Sequence, residues 1–518
     1  MLAGSHRSVF VFILSVQLTA PRFPSPMTSP RTLALFALVT TLTAPAVAHQ
    51  ATGIKLTEPT ADSVTVWTRL TRDAERAPDE GPLPLTKLFN RTTGKEVPLK
   101  DNVTYSDTRP EITYPPGANL GNLRGAALGA PGQTRVRYRP AAAPSAPWSE
   151  TAWRDVDPDR DFTATFALNG LSPATRYALA VDDRPRADAP VTSTTQGGFV
   201  TAPLPTANAA ATFAVMSCQQ YEDRDRPDGF AIYPSMLALQ PDFFVNTGDA
   251  VYYDHGPVHA VNVDLARYHW ARMYGLSTLR DFHRQVASFF MKDDHDTLTN
   301  DSHPADRSGD LTFAQGLAVF REQTAPSEPP YRTLRWGRHL QVWFLEGRDF
   351  RSSSAADRTQ TPTILGPTQI AWLERTLAAS DATFRVVITP TPMVGPDRPQ
   401  KDDNYANKGY VVEGTKIRAL LARQPNLTVI TGDRHWQYVS RDPATKIEEW
   451  SVGAATDAHA GGWSEETPRP EHRFLRIKVG GFLSGAVAPS TPTAPAALTL
   501  RLHDTAGKVI FTDTKPSK

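Results

Sequence analysis

Four stretches of the chain end in side chains that can bind metal ions or transfer protons. Each stretch begins with a short apolar run, and the polar residues follow that run directly. They are a thiol at Cys218, a carboxylate and a phenol at Asp249 and Tyr252, Asp-Asp-His-Asp at 293–296, and Gly-Asp-Arg-His at 432–435. Thiolate and imidazole groups suit transition metals, and carboxylates suit calcium. The set predicts metal-assisted chemistry at one place in the fold.

The stretch around Asp249 indicates how such a residue is positioned. Residues 243–246 form a short apolar run bounded by turn residues, which is typical of a buried strand in a parallel sheet. Gly248 permits a sharp turn, and Asp249 then stands at the carboxyl end of the strand, where open α/β sheets bind ligands. Taken alone, a Gly-Asp pair indicates an ordinary turn and the run 293–296 a solvated loop. The coincidence at four strand ends favours a site.

From about residue 206 onward, predicted strands alternate with predicted helices. This alternation predicts a layered α/β domain over 206–518, with the polar strand ends gathered at one edge of one sheet. The predicted strands are 212–216, 243–246, 286–291, 383–388, 427–431 and 475–479, with a hairpin over 331–345. The predicted helices are 230–239, 312–323, 366–379 and 413–423, and loops around the pocket are expected at 252–274 and 396–409.

Residues 49–205 have the pattern of an all-β domain. Stretches such as 63–68 and 175–181 alternate apolar and polar residues between turns rich in Pro, Gly and Asp. The pattern predicts a small sandwich of immunoglobulin or fibronectin type. The stretch Leu171-Ser-Pro-Ala-Thr-Arg-Tyr177 resembles the turn before a late strand of fibronectin-like domains.

Residues 1–48 are typical of an export signal. A positively charged segment precedes the apolar run 33–42, which is too short to span a bilayer, and Ala46-Val-Ala48 is a small-residue cleavage site. A translation start at Met27 would keep the same signal. No later run is long and apolar enough to cross a membrane. We therefore expect a mature protein without a transmembrane anchor, secreted or periplasmic.

The composition is that of an ordinary globular protein, and the net charge is too small to create a strong electrostatic field. The chain has 518 residues and a formal net charge of +1, which gives no general attraction for nucleic acid or an anionic membrane. We find no nucleic-acid-binding motif, and we expect a monomer. The single cysteine, Cys218, excludes an intramolecular disulfide. It is either a small buried hydrophobic residue or a thiolate that a metal protects from oxidation.

The order of these motifs carries a family resemblance. Ser-Cys-Gln at 217–219, Gly-Asp-x-x-Tyr at 248–252, Asp-Asp-His-Asp followed by Asn-Asp at 300–301, and Gly-Asp-x-His-Trp at 432–436 resemble the alkaline phosphatase D family of metallophosphoesterases. The stretch 365–373 is similar to that family's helix before a late strand, and parts of the amino-terminal segment are similar too. The resemblance covers nearly all of the expected mature chain.

This resemblance implies a calcineurin-like αββα sandwich that holds two or more metal ions. Carried over to this chain, Cys218, Asp249 and Tyr252 would bind a ferric ion. Asp249 would bridge to a second site for calcium, to which Asp294, Asp433 and His435 would contribute.

The resemblance also implies two catalytic side chains. His295 stands where metallophosphoesterases keep the histidine that stabilises the transition state or protonates the leaving group. Arg348 matches a family arginine that would grip a phosphate oxygen. The chain departs from the family pattern at three positions. The family usually has Asp where this chain has Glu346, Glu where it has Asp296, and an aliphatic residue where it has Arg434.

Together these features predict a secreted, metal-dependent hydrolase of phosphate mono- or diesters, whose substrate is a small molecule or a polymer. The alternative is a non-catalytic exported interaction protein with a β-sandwich module. That alternative predicts a broken ligand set, whereas each main ligand position here holds a coordinating side chain.

Overall fold

The computed structural model of the protein describes residues 48–353, 361–465 and 467–517. The predicted export signal, up to position 47, lies outside the described residues. Within the described ranges, every helix is too short or too polar to cross a bilayer.

The amino-terminal segment consists mainly of β-strands. Its strands are β1 (Ile54–Thr57), β2 (Ser63–Arg69), β3 (Leu85–Asn90), β4 (Glu96–Val97), β5 (Thr108–Thr113), β6 (Gln133–Pro140), β7 (Ser149–Glu150), β8 (Arg154–Asp155), β9 (Thr163–Asn169), β10 (Arg176–Arg184) and β11 (Ser193–Val200). Strands β1, β2 and β9 pack against β6, β10 and β11 through one apolar core that includes Val66, Val136 and Phe199. This arrangement is a β-sandwich, and its immunoglobulin or fibronectin identity stays a prediction.

The rest of the chain alternates between strands and helices, as predicted. Its helices are α1 (Ile232–Ala238), α2 (Val263–Tyr274), α3 (Ser277–His283), α4 (Phe313–Thr324), α5 (Gly366–Ala378) and α6 (Val411–Ala422). Its strands are β12 (Ala211–Met216), β13 (Phe243–Asn246), β14 (Ser288–Phe290), β15 (Arg307–Ser308), β16 (Leu311–Thr312), β17 (Arg332–Trp336), β18 (Leu340–Phe344), β19 (Phe384–Thr389), β20 (Leu427–Thr431), β21 (Gln437–Arg441), β22 (Glu448–Val452), β23 (His472–Arg476), β24 (Gly481–Ala488), β25 (Ala497–Asp504) and β26 (Val509–Pro516).

These elements form four layers. One sheet has the strand order β26-β25-β24-β12-β13-β14-β1-β2-β9, and the other has the order β17-β18-β19-β20-β22-β21-β23. An apolar core that includes Phe243, Phe289 and Phe344 lies between the two sheets. Helices α1 to α4 cover the outer face of the first sheet, and α5 and α6 cover the second. The predicted αββα sandwich is confirmed.

The first sheet continues into the amino-terminal segment. Strand β1 runs parallel to β14, with Thr57 opposite Ser288. Three strands of the amino-terminal sandwich therefore extend a sheet of the layered domain. The division into domains at 49–205 and 206–518 stays a prediction.

The predicted elements differ from the observed ones in several places. We expected a loop over 252–274, but α2 occupies its second half, and Asn262 caps that helix by accepting a hydrogen bond from the backbone of Leu265 at 2.9 Å. A strand expected at 475–479 is found earlier, as β23. The expectation of a single sheet edge is also wrong, because β12, β13 and β14 belong to one sheet and β18 and β20 to the other. A strand pattern alone does not say which sheet a strand joins.

Candidate metal centre

The predicted site residues lie where the carboxyl ends of strands from both sheets meet. Cys218, Asp249 and Asp294 follow strands of the first sheet, and His435 follows β20 of the second. Strands β12, β13 and β14 run parallel, so their carboxyl ends point the same way. The cleft between the two sheets therefore gathers side chains that are more than 200 residues apart in the sequence.

Three of the predicted ligands have a backbone conformation that residues other than glycine seldom adopt. The φ angles of Cys218, Asp249 and Asp433 are 52°, 55° and 61°. Such left-handed conformations are uncommon outside glycine and are concentrated at functional sites. The turn before Asp249 also needs a glycine, because a Cβ atom on Gly248 would lie 2.6 Å from the Cβ of Asp293.

A first group of candidate ligands surrounds one oxygen of Asp249. Its Oδ2 atom lies 3.3 Å from Cys218 Sγ and 3.4 Å from the Tyr252 hydroxyl oxygen. The same hydroxyl lies 3.3 Å from Nε2 of His435. Ligand atoms of Cys218, Asp249 and His435 all lie within 4.8 Å of one another. The structure thus brings together the three predicted iron ligands and adds His435, which we had expected at the second site.

A second group shares Asp249 with the first. Ligand atoms of Asp249, Asp294 and His295 lie within 4.8 Å of one another, and all three side chains are buried. Oδ2 of Asp294 accepts a hydrogen bond from the backbone N–H of Asp301 at 2.6 Å. Asp433 belongs to neither group, although it lines the same cavity. Asp249 therefore has the position of a bridging carboxylate.

The donor set fits bound cations. Among the described residues, Asp249 Oδ1, Asp293 Oδ2 and Asp294 Oδ1 are buried oxygens without a hydrogen-bond donor. Burial and the neighbouring Asp294 raise the pKa of Asp249 well above its usual range. Burial and Asp249 likewise raise the pKa of the Cys218 thiol. Buried acids that crowd one another in this way are stabilised as anions when cations lie between them. Sulfur, phenol and imidazole suit a transition metal, and carboxylates suit calcium.

His295 is held by a carboxylate on its far side. Its Nδ1 atom lies 2.5 Å from Asp254 Oδ1, and Asp254 Oδ2 accepts a hydrogen bond from the backbone of Asn300 at 2.8 Å. Burial lowers the pKa of His295, but Asp254, Asp294 and Asp249 together raise it well above its usual range. The ring lines the cavity, so Nε2 is the nitrogen available to a substrate.

Arg348 is directed at carboxylates rather than at the cavity. Its Nε donates a hydrogen bond to Asp293, and its Nη2 lies 3.4 Å from Asp294 Oδ1. The side chain is buried and does not line the cavity. A role in gripping phosphate stays a prediction, and these contacts favour a role in holding the carboxylates.

Two departures from the family pattern have a structural role. Glu346 accepts hydrogen bonds from the backbone of Arg348 and Asp349, at 2.8 and 2.7 Å, and pairs with the buried Lys292 at 3.0 Å. It thereby fixes the loop that carries Arg348. Asp296 accepts hydrogen bonds from backbone amides, including those of Asp249 and Ala250, at 2.6 and 2.7 Å. It supports the turn and leaves ligation to its neighbours.

Arg434, the third departure, adds no free charge to the site. It pairs with Asp397, Asp403 and Asp433 at 2.6, 2.9 and 2.9 Å. The first two acids lie in the expected loop 396–409. Arg434 therefore ties that loop to the strand end that carries Asp433.

The candidate site opens into a cavity of about 320 Å³. Besides predicted residues, the cavity is lined by His255, Arg398, Trp436 and His459. His459 contacts the Tyr252 hydroxyl at 2.8 Å and Asp223 at 2.9 Å. Sequence reasoning missed His459, Arg398 and Asp254 because each lies in a loop and has no motif of its own. Asp254, two residues after Tyr252, was the only one near a recognised motif.

Comparison with known proteins adds to this geometry. Residues 213–463 match the family model described as PhoD-like phosphatase. This part of the chain belongs to the PhoD-like phosphatase family. The matched residues of this PhoD-like domain include all of the predicted site residues, so the resemblance seen in the motifs is confirmed. A search of curated protein sequences finds no match.

Solved structures of phosphatases share the fold of the PhoD-like domain and its amino-terminal segment. A structure of PhoD superposes with a TM-score of 0.66 at 17% identity, covering 91% of this chain and 89% of that chain. The purple acid phosphatase PPD1 from yellow lupin seeds superposes with a TM-score of 0.53 at 12% identity, covering 89% of this chain and 74% of that one. The layered domain is thus metallophosphoesterase-like in fold.

Proposed function

We propose that the protein is an exported, metal-dependent hydrolase of phosphate mono- or diesters. The observation that supports this most strongly is the pair of ligand groups, buried except for the half-buried His435, that share Asp249 in the lining of a cavity. The family match to phosphatases supports the reaction class. Export rests on the sequence signal in residues 1–48.

The donor types support a ferric ion and calcium as the bound ions. Cys218, Asp249, Tyr252 and His435 would hold the first ion, and Asp249 with Asp294 the second. When bound, such ions act as Lewis acids toward a phosphoryl oxygen and lower the pKa of coordinated water.

The protein's own residues would then complete the reaction. Water attacks phosphorus and releases one proton to solvent, a new P–O bond forms, and the ester P–O bond breaks. His295 donates the proton on Nε2 to the leaving oxygen, and Asp254 holds the ring in the orientation that presents this nitrogen. Arg348 keeps Asp293 and Asp294 in place, so that the carboxylates do not move apart.

The test is metal analysis of the purified mature protein, together with hydrolysis of p-nitrophenyl phosphate and bis(p-nitrophenyl) phosphate. We expect iron and calcium in the protein, activity that is lost on chelation, and recovery when both ions are returned. Asp249→Asn should lose metal and activity together, whereas Asp73→Asn, an exposed control whose side chain is 59% accessible, should keep both. A folded protein that binds no metal would contradict the proposal and favour the interaction protein.

A further inference from the structure

Three Lys and Arg side chains line the catalytic cavity, and carboxylates neutralise two of them. Arg434 pairs with three aspartates. Lys401 pairs with Asp301 and Asp403, at 3.0 and 2.9 Å. Neither is free to bind an anionic substrate without breaking existing ion pairs.

Arg398 is the third cation, and its charge is available. Its only carboxylate contact in the described part of the chain is a long one, from Nε to Asp397 at 3.4 Å, and Asp397 is already paired with Arg434. Neither Nη atom makes a hydrogen bond there, and the side chain is 26% accessible. A guanidinium group with free, coplanar N–H donors suits a phosphate group.

The guanidinium of Arg398 is held in a stack of side chains. It lies 5.5 Å from the ring of Trp436, which stacks on Trp463 with ring centroids 5.4 Å apart. Arg469 lies over Trp463 at 4.7 Å. Both tryptophans are buried. Such cation–π and stacking contacts restrict the position of Arg398 while leaving its N–H groups exposed.

A second cavity, of about 470 Å³, also has Arg398 in its lining. It shares Arg398 and Lys401 with the catalytic cavity and also contains Lys408, Arg418 and Arg469. Five of its fourteen lining residues are Lys or Arg and three are acids. Three of the five cations are already paired: Lys401 as above, Arg418 with Asp442 at 2.9 Å and Arg469 with Glu465 at 2.5 Å. Asp397 is paired with Arg434, so among the described residues Arg398 and Lys408 face one unpaired acid of the lining, Glu471. The cavity therefore has a positive balance.

We infer that Arg398 binds a second phosphate group of the substrate, and that preferred substrates are phosphate esters whose alcohol portion carries this group toward the second cavity. This inference rests on the proposed function. The ester to be hydrolysed occupies the catalytic cavity beside His295. The second phosphate lies beside Arg398 in the second cavity, whose lining also includes Lys408.

The experiment compares pairs of substrates that differ only in the second phosphate, namely alkyl monophosphates and alkanediol bisphosphates with linkers of two to six carbons. We expect the wild-type protein to prefer the bisphosphate by about tenfold in kcat/KM at the best linker length, the effect of one charge-assisted contact. Arg398→Gln should remove this preference, and Arg398→Lys should keep part of it. Arg72→Gln, an exposed arginine in the amino-terminal segment, is the matched control and should keep the full preference.

Binding of non-hydrolysable analogues separates this inference from the proposed function. Isothermal titration with an alkane bisphosphonate and the matching monophosphonate should show the same tenfold preference in wild type and its loss in Arg398→Gln. If neither ester is hydrolysed but the binding preference holds, the proposed function fails and the phosphate subsite stands. Equal binding of both analogues to wild type, or an unchanged preference in folded Arg398→Gln, would overturn the inference.

Discussion

Nε2 of His459 lies 2.8 Å from the hydroxyl oxygen of Tyr252, and Nδ1 of the same ring lies 2.9 Å from Asp223. An ionised carboxylate only accepts hydrogen bonds, so the proton of the neutral ring is on Nδ1. Nε2 is then an acceptor aimed at the phenol. Burial lowers the pKa of His459, which favours this neutral form. His459 can therefore accept the phenol proton when Tyr252 binds a metal as phenolate.

We predict that His459 and Asp223 position Tyr252 for iron binding. A phenolate bound to ferric iron gives a visible charge-transfer band, so the iron-loaded protein should be coloured. Tyr252→Phe should abolish the band. His459→Gln should shift the band and weaken iron binding by about 10- to 100-fold, the usual effect of losing a group that orients a ligand.

Absorption spectra during iron titration would measure this effect. His339→Gln is the matched control. His339 precedes the first residue of β18, at the end of that strand away from the candidate site, and contacts Thr383 and Asn208. An unchanged band and affinity in His459→Gln would show that the contact with Tyr252 only packs the loop.

We predict that His295 protonates the leaving group and that Asp254 orients it. His295→Ala should lower kcat by about two to four orders of magnitude, the usual range for a general acid. Asp254→Asn should lower it less, because the ring stays but its orientation is lost. Because His295 is also within ligand distance of Asp249 and Asp294, metal content must be measured in the same samples. Loss of metal from His295→Ala would make His295 a ligand rather than the acid.

Much of this site could be predicted because its residues follow buried strands in recognisable motifs. Asp249 is an example. The apolar run 243–246 and the glycine at 248 indicate a buried strand that ends just before it. Cys218 follows a strand of the first sheet and His435 a strand of the second, yet their ligand atoms lie within 4.8 Å of one another. This proximity could not be predicted, because strand patterns do not specify which sheet a strand joins. His459 and Arg398 could not be found either. Each owes its place to tertiary packing, on Tyr252 and on Trp436, and has no local pattern.

Helix α2 was missed for a different reason. The segment 252–274 lies between two motifs, and the sequence prediction gives it as a loop. The signal was present, because Asn262 is a favoured N-cap residue and Ala266, Trp270 and Met273 form an apolar stripe at helical spacing.

We predict that Arg348 stabilises the fold through Asp293 rather than gripping the substrate. Both side chains are 1% accessible, and removing one partner of a buried ion pair leaves an uncompensated charge. Arg348→Gln should lower the free energy of unfolding by about 3–5 kcal/mol.

Chemical denaturation of the single and double variants would measure this coupling. Asp293→Asn combined with Arg348→Gln should be less destabilising than the sum of the two single changes. If Arg348→Gln keeps its stability and instead raises KM for phosphate esters, the phosphate grip predicted from the sequence is correct.

The last prediction concerns Asp183, which is fully buried in the amino-terminal sandwich. It accepts hydrogen bonds from Gln50 at 2.9 Å and Ser193 at 2.7 Å, but burial raises its pKa to about 7. The folded state therefore holds a proton that the unfolded chain releases near its ordinary pKa of about 4. Stability from this group is complete below pH ~4 and is lost as the pH rises to about 7, by about 4 kcal/mol at about 1.4 kcal/mol per pH unit.

Asp183→Asn removes this titration, because an amide stays neutral at every pH. We expect the free energy of unfolding of wild type, relative to Asp183→Asn, to fall steadily between pH 4 and 7 and then to level off. Asp188→Asn, an exposed change in the same segment, should follow wild type. The measurement is urea unfolding across this pH range. Parallel curves for wild type and Asp183→Asn would mean that Asp183 is already ionised in the folded protein, with its hydrogen bonds outweighing its burial.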